Sequence, residues 1–141
     1  MARRDRRCGE GRGAFMNTWQ EMVEDFHTRM GIPVGRLPSV GSREERDLRL
    51  ELLLEECGET IDGLSRADLP AIADGLCDLI YVALGTAVQL GINLEPLFAA
   101  VHAANMAKTG GPVSTTGKQG KPPGWTPPDI AGLLRAQGWT P

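Results

Sequence analysis

The sequence predicts an all-α protein: a helical bundle of four to five helices with a central antiparallel hairpin, assembled as an oligomer. Three observations carry this reading. Apolar residues recur at helical spacing over residues 18–108, and no stretch shows the strict alternation of a half-buried strand. The aromatic share is 5% while Leu and Ala are abundant, which favours helix packing over sheets. Helix start and stop signals fall at the edges of the periodic segments.

The first helix is expected from about Thr18 to Met30, with Trp19, Met22, Val23, Phe26 and Met30 on its apolar stripe. Gly31 and Pro33 end it. A loop with Pro33, Gly35, Pro38 and Gly41 follows. Ser42-Arg43-Glu44-Glu45 is a capping box that opens the second helix, which runs through Leu48, Leu52, Leu53, Ile61 and Leu64 to about Ser65.

Asp68, with Pro70 two residues on, starts the third helix, which continues to Leu90 before Gly91. The run Ala71–Leu90 approaches transmembrane length, but Asp74 and Asp78 would be expensive in lipid. It therefore reads as a buried central helix, and no membrane is expected. Asn93 caps the fourth helix, with Leu97, Phe98 and Val101 on its inner face, fading near Lys108. Residues 110–128 are mostly Gly, Pro, Lys, Ser and Thr and read as a mobile loop. A short last helix follows from about Asp129 to Gln137.

The 141 residues suit one domain, expected over residues 16–141 after a disordered basic extension at 1–15. That extension holds five of the fifteen Lys and Arg but two of the eighteen Asp and Glu, so the body is more acidic than the net charge of −3 implies. Met16 is an alternative natural start. An acidic body argues against general nucleic-acid binding. No apolar stretch follows the N-terminal arginines, so no export signal is expected. Cys8, Cys57 and Cys77 lack disulfide or zinc spacing. Cys57 and Cys77 are expected to be small buried apolar residues in a reducing compartment, with a cytoplasmic location by default.

The most informative feature is acidic. Glu55, Glu56 and Glu59 lie on the second helix, Asp74 and Asp78 on the third, all inside apolar runs. Residues three and four apart share a helix face. A short turn makes the two helices antiparallel neighbours, and turning near residue 67 sets Glu56 opposite Asp78 and Glu59 opposite position 75. Spacing and hairpin geometry thus converge on one acidic cluster. Uncompensated burial of several carboxylates is too costly to leave unanswered. A hard divalent cation held by oxygens, Mg²⁺ before Mn²⁺, answers it. The alternative is a solvated acidic face, which the crowding Leu and Ile disfavour. A di-iron bundle would need two Glu-x-x-His motifs, and only Glu24 to His27 has that spacing.

These residues resemble the all-α nucleoside triphosphate pyrophosphohydrolases, including the MazG-like and phosphoribosyl-ATP pyrophosphohydrolase branches, whose pattern is Glu-Glu-x-x-Glu followed by Glu-x-x-Asp. Glu55, Glu56, Glu59 and Asp78 match it. Gly75 stands where the pattern has Glu, and Asp74 is the candidate replacement ligand. The segments 73–82, 101–108 and 117–130 are similar to a branch related to the MazG-like deoxyuridine triphosphatases. The resemblance implies cleavage of a nucleoside triphosphate, dUTP or a related deoxynucleotide, between its α and β phosphates, and a homodimer or dimer of dimers. Phosphoribosyl-ATP is the alternative substrate, and a nucleotide-binding protein with weakened catalysis is the alternative class.

Candidate roles follow. Glu55, Glu56, Glu59, Asp74 and Asp78 are expected to hold Mg²⁺, with Glu56 or Glu59 also activating water. Asn105 is expected to meet base or sugar, and Lys108, Lys118 and Lys121 to neutralise phosphate oxygens. Tyr81 can stack on a base or pack. Trp125 is expected to anchor the tail, and His27 and His102 to have satisfied structural roles.

Overall fold

The computed structural model describes residues 17–141. The basic extension, Met16 and Cys8 lie outside the described residues. Five helices follow in order: α1 (Thr18–Met30), α2 (Arg43–Ser65), α3 (Leu69–Gln89), α4 (Leu94–Met106) and α5 (Ile130–Ala136). Their boundaries agree with the sequence reading because the terminal signals are chemically met. Asn17 caps α1 by accepting from the Gln20 amide, and Gly31 ends it at φ +68°, a conformation that glycine adopts without strain. Both halves of the Ser42–Glu45 capping box form at α2. Asp68 caps α3, and Asp129 caps α5 by accepting from the Gly132 amide.

Packing is concentrated between α2 and α3, then between α1 and α3, while α4 packs chiefly on α5. Two glycines permit the close α2–α3 approach. A Cβ at Gly63 would meet the Ala71 and Ile72 backbone at 3.1 and 3.0 Å, and one at Gly75 would meet the Thr60 Cα at 3.0 Å. Position 75 therefore faces Thr60 and not Glu59, one residue from the expected register.

Two glutamines fasten the turn between α3 and α4. Gln20, almost fully buried, donates to the Ile92 carbonyl at 2.6 Å and accepts from the Leu94 amide at 3.0 Å. Gln137 exchanges two hydrogen bonds with the Asn93 backbone, each 2.9 Å. The tail helix is thus tied to the same turn that α1 holds.

The core centres on Val23, Leu84 and Val88, with Val34 and Leu94 packed against it. Much of the expected apolar stripe lies outside it. On α1 only Val23 of that stripe is buried, beside Gln20 and His27, while Trp19, Met22, Phe26 and Met30 are exposed. Ile61 and Leu64 on α2 and Phe98 and Val101 on α4 are exposed too. The reason is geometric: one chain supplies too few elements to cover both faces of α1–α3. Cys57 and Cys77 are likewise exposed, contrary to expectation, because they sit on the outer faces of α2 and α3.

The third helix is long and apolar enough to cross a membrane by length and composition, yet 28% of its most apolar window is buried. It is central but far from enclosed in the single chain. The segment after α4, expected as a mobile loop, holds local structure. Val113 and Gln119 form an antiparallel bridge, and the Gln119 amide donates to the carbonyls of Lys108 and Gly111 at 3.1 and 2.9 Å. Polar side chains satisfy the irregular backbone here, a possibility that composition alone does not reveal.

Candidate functional site

Arg49, Leu52 and Glu56 share one face of α2 at spacings of three and four residues. The acidic cluster begins at Glu56. Glu56 is half-buried, whereas Glu55, Glu59, Asp74 and Asp78 are exposed. Burial pushes the Glu56 carboxyl above its ordinary pKa, and the charges of Asp78, Glu59, Glu55 and Asp74 push it further in the same direction. The other four predicted acids therefore lie within electrostatic reach of Glu56.

None of the five is paired with a cation among the described residues; the ion pairs there join Arg29 to Asp25, Arg43 to Asp47, and Arg66 to Asp62 and Asp68. Nor does any set of three or more Asp, Glu, His or Cys side chains among the described residues close to a metal-ligating arrangement. Four of the five face solvent, so the single chain does not bury them as the sequence suggested; as oxygen donors they are of the kind that could hold Mg²⁺ or Mn²⁺.

One turn beyond Asp78, a cavity of about 210 Å³ opens between α1, α2 and α3. Tyr81 lines it, meeting Phe26 edge-on with ring centroids 5.7 Å apart. His27 and Arg49 line it as well. His27 is buried with Nδ1 3.2 Å from the Pro33 carbonyl, so it is structurally satisfied at one nitrogen, as expected. Its other nitrogen faces the cavity side of Gly85. Arg49 was not singled out by the sequence reading. Its signal was there: a lone arginine between Leu48 and Leu50, two turns before Glu56 on the same face. His102 is exposed on α4.

The remaining predicted residues gather elsewhere. Lys108 donates to Asn105 Oδ1 at 2.7 Å. Lys108 and Lys121 both lie over the Trp125 ring, 5.6 and 4.5 Å from its centroid. The Trp125 indole donates to the Ala104 carbonyl at 2.7 Å, so Trp125 does anchor the tail to α4. Lys118 lies on a separate shallow hollow with Val113 and Ser114. The acids and Tyr81 thus belong to the α2–α3 pair, while Asn105, Lys108 and Lys121 belong to α4 and the tail.

Comparison with known proteins meets this geometry. A sequence model of the family described as phosphoribosyl-ATP pyrophosphohydrolase matches residues 23–105, which include all five acids and the cavity. An uncharacterized protein of Acanthamoeba polyphaga mimivirus is similar at 42% identity over 48 residues. That match takes in 34% of this chain and 19% of the viral protein, so the matched part is about a fifth of that protein's length. The family match covers more than half of the chain, and the chain belongs to the phosphoribosyl-ATP pyrophosphohydrolase family, within the all-α nucleoside triphosphate pyrophosphohydrolases that its acidic motif resembles.

Proposed function

We propose that the protein is a Mg²⁺-dependent nucleoside triphosphate pyrophosphohydrolase that releases nucleoside monophosphate and pyrophosphate, with dUTP or a related deoxynucleotide as substrate. The observation that carries this is the gathering of four carboxylates within electrostatic reach of Glu56. Glu55, Glu56, Glu59 and Asp78, with Asp74 beside them, would hold the metal on α2 and α3 read as an antiparallel hairpin. When bound, Mg²⁺ neutralises phosphate charge and lowers the pKa of water.

The chain's own residues do the rest. A carboxylate with a raised pKa is a better proton acceptor, which suits Glu56 to take a proton from the attacking water, with its neighbour Glu59 as the alternative base. Oxygen bonds to phosphorus, the α–β anhydride bond breaks, and pyrophosphate leaves. No Ser or Thr nucleophile with an adjacent base lies in the cluster. Water attack without a covalent intermediate is the consistent route. Lys108, Lys118 and Lys121 would neutralise outer phosphate oxygens, and Asn105 would contact the sugar or base. The large exposed apolar side chains support a homodimer or dimer of dimers that covers them.

The family description favours a second substrate, phosphoribosyl-ATP. One experiment separates the readings: pyrophosphate release from a panel of nucleotides including phosphoribosyl-ATP, with Mg²⁺ and with excess chelator. Orthophosphate and nucleoside diphosphate as first products, or full activity in chelator, would overturn the proposal.

A further inference from the structure

The turn between α3 and α4 joins the two halves of the candidate site: Asp74 and Asp78 lie before it, Asn105 and Lys108 after it. Two side-chain amides hold four backbone groups of three consecutive residues there. Gln20, 1% exposed, donates to the Ile92 carbonyl at 2.6 Å and accepts from the Leu94 amide at 3.0 Å. Gln137 donates to the Asn93 carbonyl and accepts from the Asn93 amide, both at 2.9 Å. Glutamine suits this task because one planar amide carries both donor and acceptor. An ionised glutamate can only accept, and methionine offers at most a weak acceptor.

Beyond its first turn, α4 has little else in the chain to steer it. Leu97 is buried, but Phe98, Val101 and Met106 are 73%, 39% and 61% exposed, and the helix packs chiefly on α5. The segment that follows is bound to α4 itself. The Trp125 indole donates to the Ala104 carbonyl, and the Gln119 amide donates to the Lys108 carbonyl. At the end of α5, Gln137 brings the chain back to Asn93. Residues 94–137 thus form an arm that leaves and returns at one turn, with Lys108, Lys121 and Trp125 grouped away from it. The leverage is large. Lys108 stands 14 residues after Leu94, about 20 Å at helical rise, so a rotation of roughly 10° at the turn displaces it by about 3.5 Å. A misplacement of about 1 Å is already enough to slow a reaction substantially.

We propose that Gln137, together with Gln20, is a positioning residue of the nucleotide site: by fixing the α3–α4 turn it sets where Lys108 and Lys121 meet the triphosphate. This role rests on the pyrophosphohydrolase reading of the acidic cluster. Gln137 touches neither nucleotide nor metal and acts only through the arm.

The test uses the full chain with Mg²⁺ and the triphosphate that it hydrolyses fastest. Gln137→Met keeps length and bulk but loses the hydrogen bonds. Gln137→Ala removes the bulk as well, at a half-buried helix end where it cannot clash. Both should lower kcat/KM by about tenfold. Mg²⁺ affinity measured without nucleotide belongs to the acids and should not change. In a chain already carrying Lys108→Ala and Lys121→Ala the loss should largely vanish, because there are no lysines left to misplace. A purely structural role would leave the losses additive. Unchanged kcat/KM, a loss in only one of the two variants, additive losses, or Mg²⁺ affinity that falls with turnover overturns the proposal. If the wild type releases pyrophosphate from no triphosphate, the hydrolytic reading fails on its own, and hydrogen exchange decides the clasp. Faster exchange along α4 in both Gln137 variants, beside unchanged α2 and α3, upholds it; unchanged exchange along α4 overturns it.

Discussion

Gly75 of α3 lies flush against Thr60 of α2: a Cβ at Gly75 would come within 2.8 Å of the Thr60 hydroxyl and 3.0 Å of its Cα. This accounts for the one departure from the acidic pattern of the resembling family. Position 75 points at the backbone of α2 and not into the acidic cluster, so a glutamate there has no room. Gly75→Ala should destabilise the protein by about 1–3 kcal/mol through overpacking. Gly75→Glu should cost more, because a carboxylate would also be desolvated. Gly58 provides the contrast, since a Cβ there meets nothing within 4 Å. Gly58→Ala should stabilise α2 by up to about 1 kcal/mol. Chemical denaturation reads all three, and a Gly75→Glu variant as stable as the wild type would contradict the packing argument.

His27 makes stability depend on pH. Burial lowers its pKa below 6.5, with the Arg49 charge acting in the same direction against the Pro33 hydrogen bond. The folded state then binds fewer protons than the unfolded state once the pH falls below about 6.5. This contribution is fully present above that value and is lost as the pH falls toward the folded pKa. The denaturation midpoint of the wild type should drop between pH 7 and pH 5, and His27→Gln should flatten that part of the profile. Identical slopes for the two proteins would show that His27 does not titrate differently on folding.

Local signals were legible in the sequence and assembly-level ones were not. Helix ends at Asn17, Ser42, Asp68 and Asp129 could be read because capping is decided within three or four residues. The acidic cluster could be read because helical spacing and a short turn fix which carboxylates approach. Burial of Trp19, Phe98, Cys57 and Cys77 could not, because hydrophobicity says that a side chain needs cover and not whether its own chain supplies it. Arg49 was missed for a related reason. An arginine among leucines gives no sign of its role until Gln89, forty residues away, is seen to hold it.

The uncovered apolar faces set an expectation for assembly. Leu64 and Phe98 are 58% and 73% exposed, and neither belongs to the acidic cluster. On a free surface, Leu64→Glu and Phe98→Glu would change stability within about 0.5 kcal/mol. In a homodimer or tetramer that covers these faces, each should lower the assembly state and the melting temperature together. Sedimentation equilibrium checks the mass, and a monomeric wild type at micromolar concentration would sink the expectation.

The acidic hub yields a prediction that separates metal binding from catalysis. Without metal, the raised Glu56 pKa means that the folded state holds its proton more tightly than the unfolded chain does. Stability therefore falls as the pH rises through the interval between the ordinary and the raised pKa. Glu56→Gln removes one of the clustered charges and should stabilise the metal-free protein at neutral pH. Mg²⁺ should reverse the order. At a hundred times its dissociation constant it adds about 2.7 kcal/mol to the wild type by mass action, and less to the variant. Pyrophosphate release should fall by about 10²- to 10⁴-fold in Glu56→Gln if Glu56 is the base, and far less in Lys118→Ala or Lys121→Ala. Asp74→Ala and Asp78→Ala then ask whether Asp74 is a ligand: equal loss of Mg²⁺ affinity says that it is, and an intact affinity in Asp74→Ala leaves the metal to the other four acids. Wild-type turnover by Glu56→Gln, with Glu59→Gln equally unimpaired, would remove carboxylate base catalysis from the mechanism.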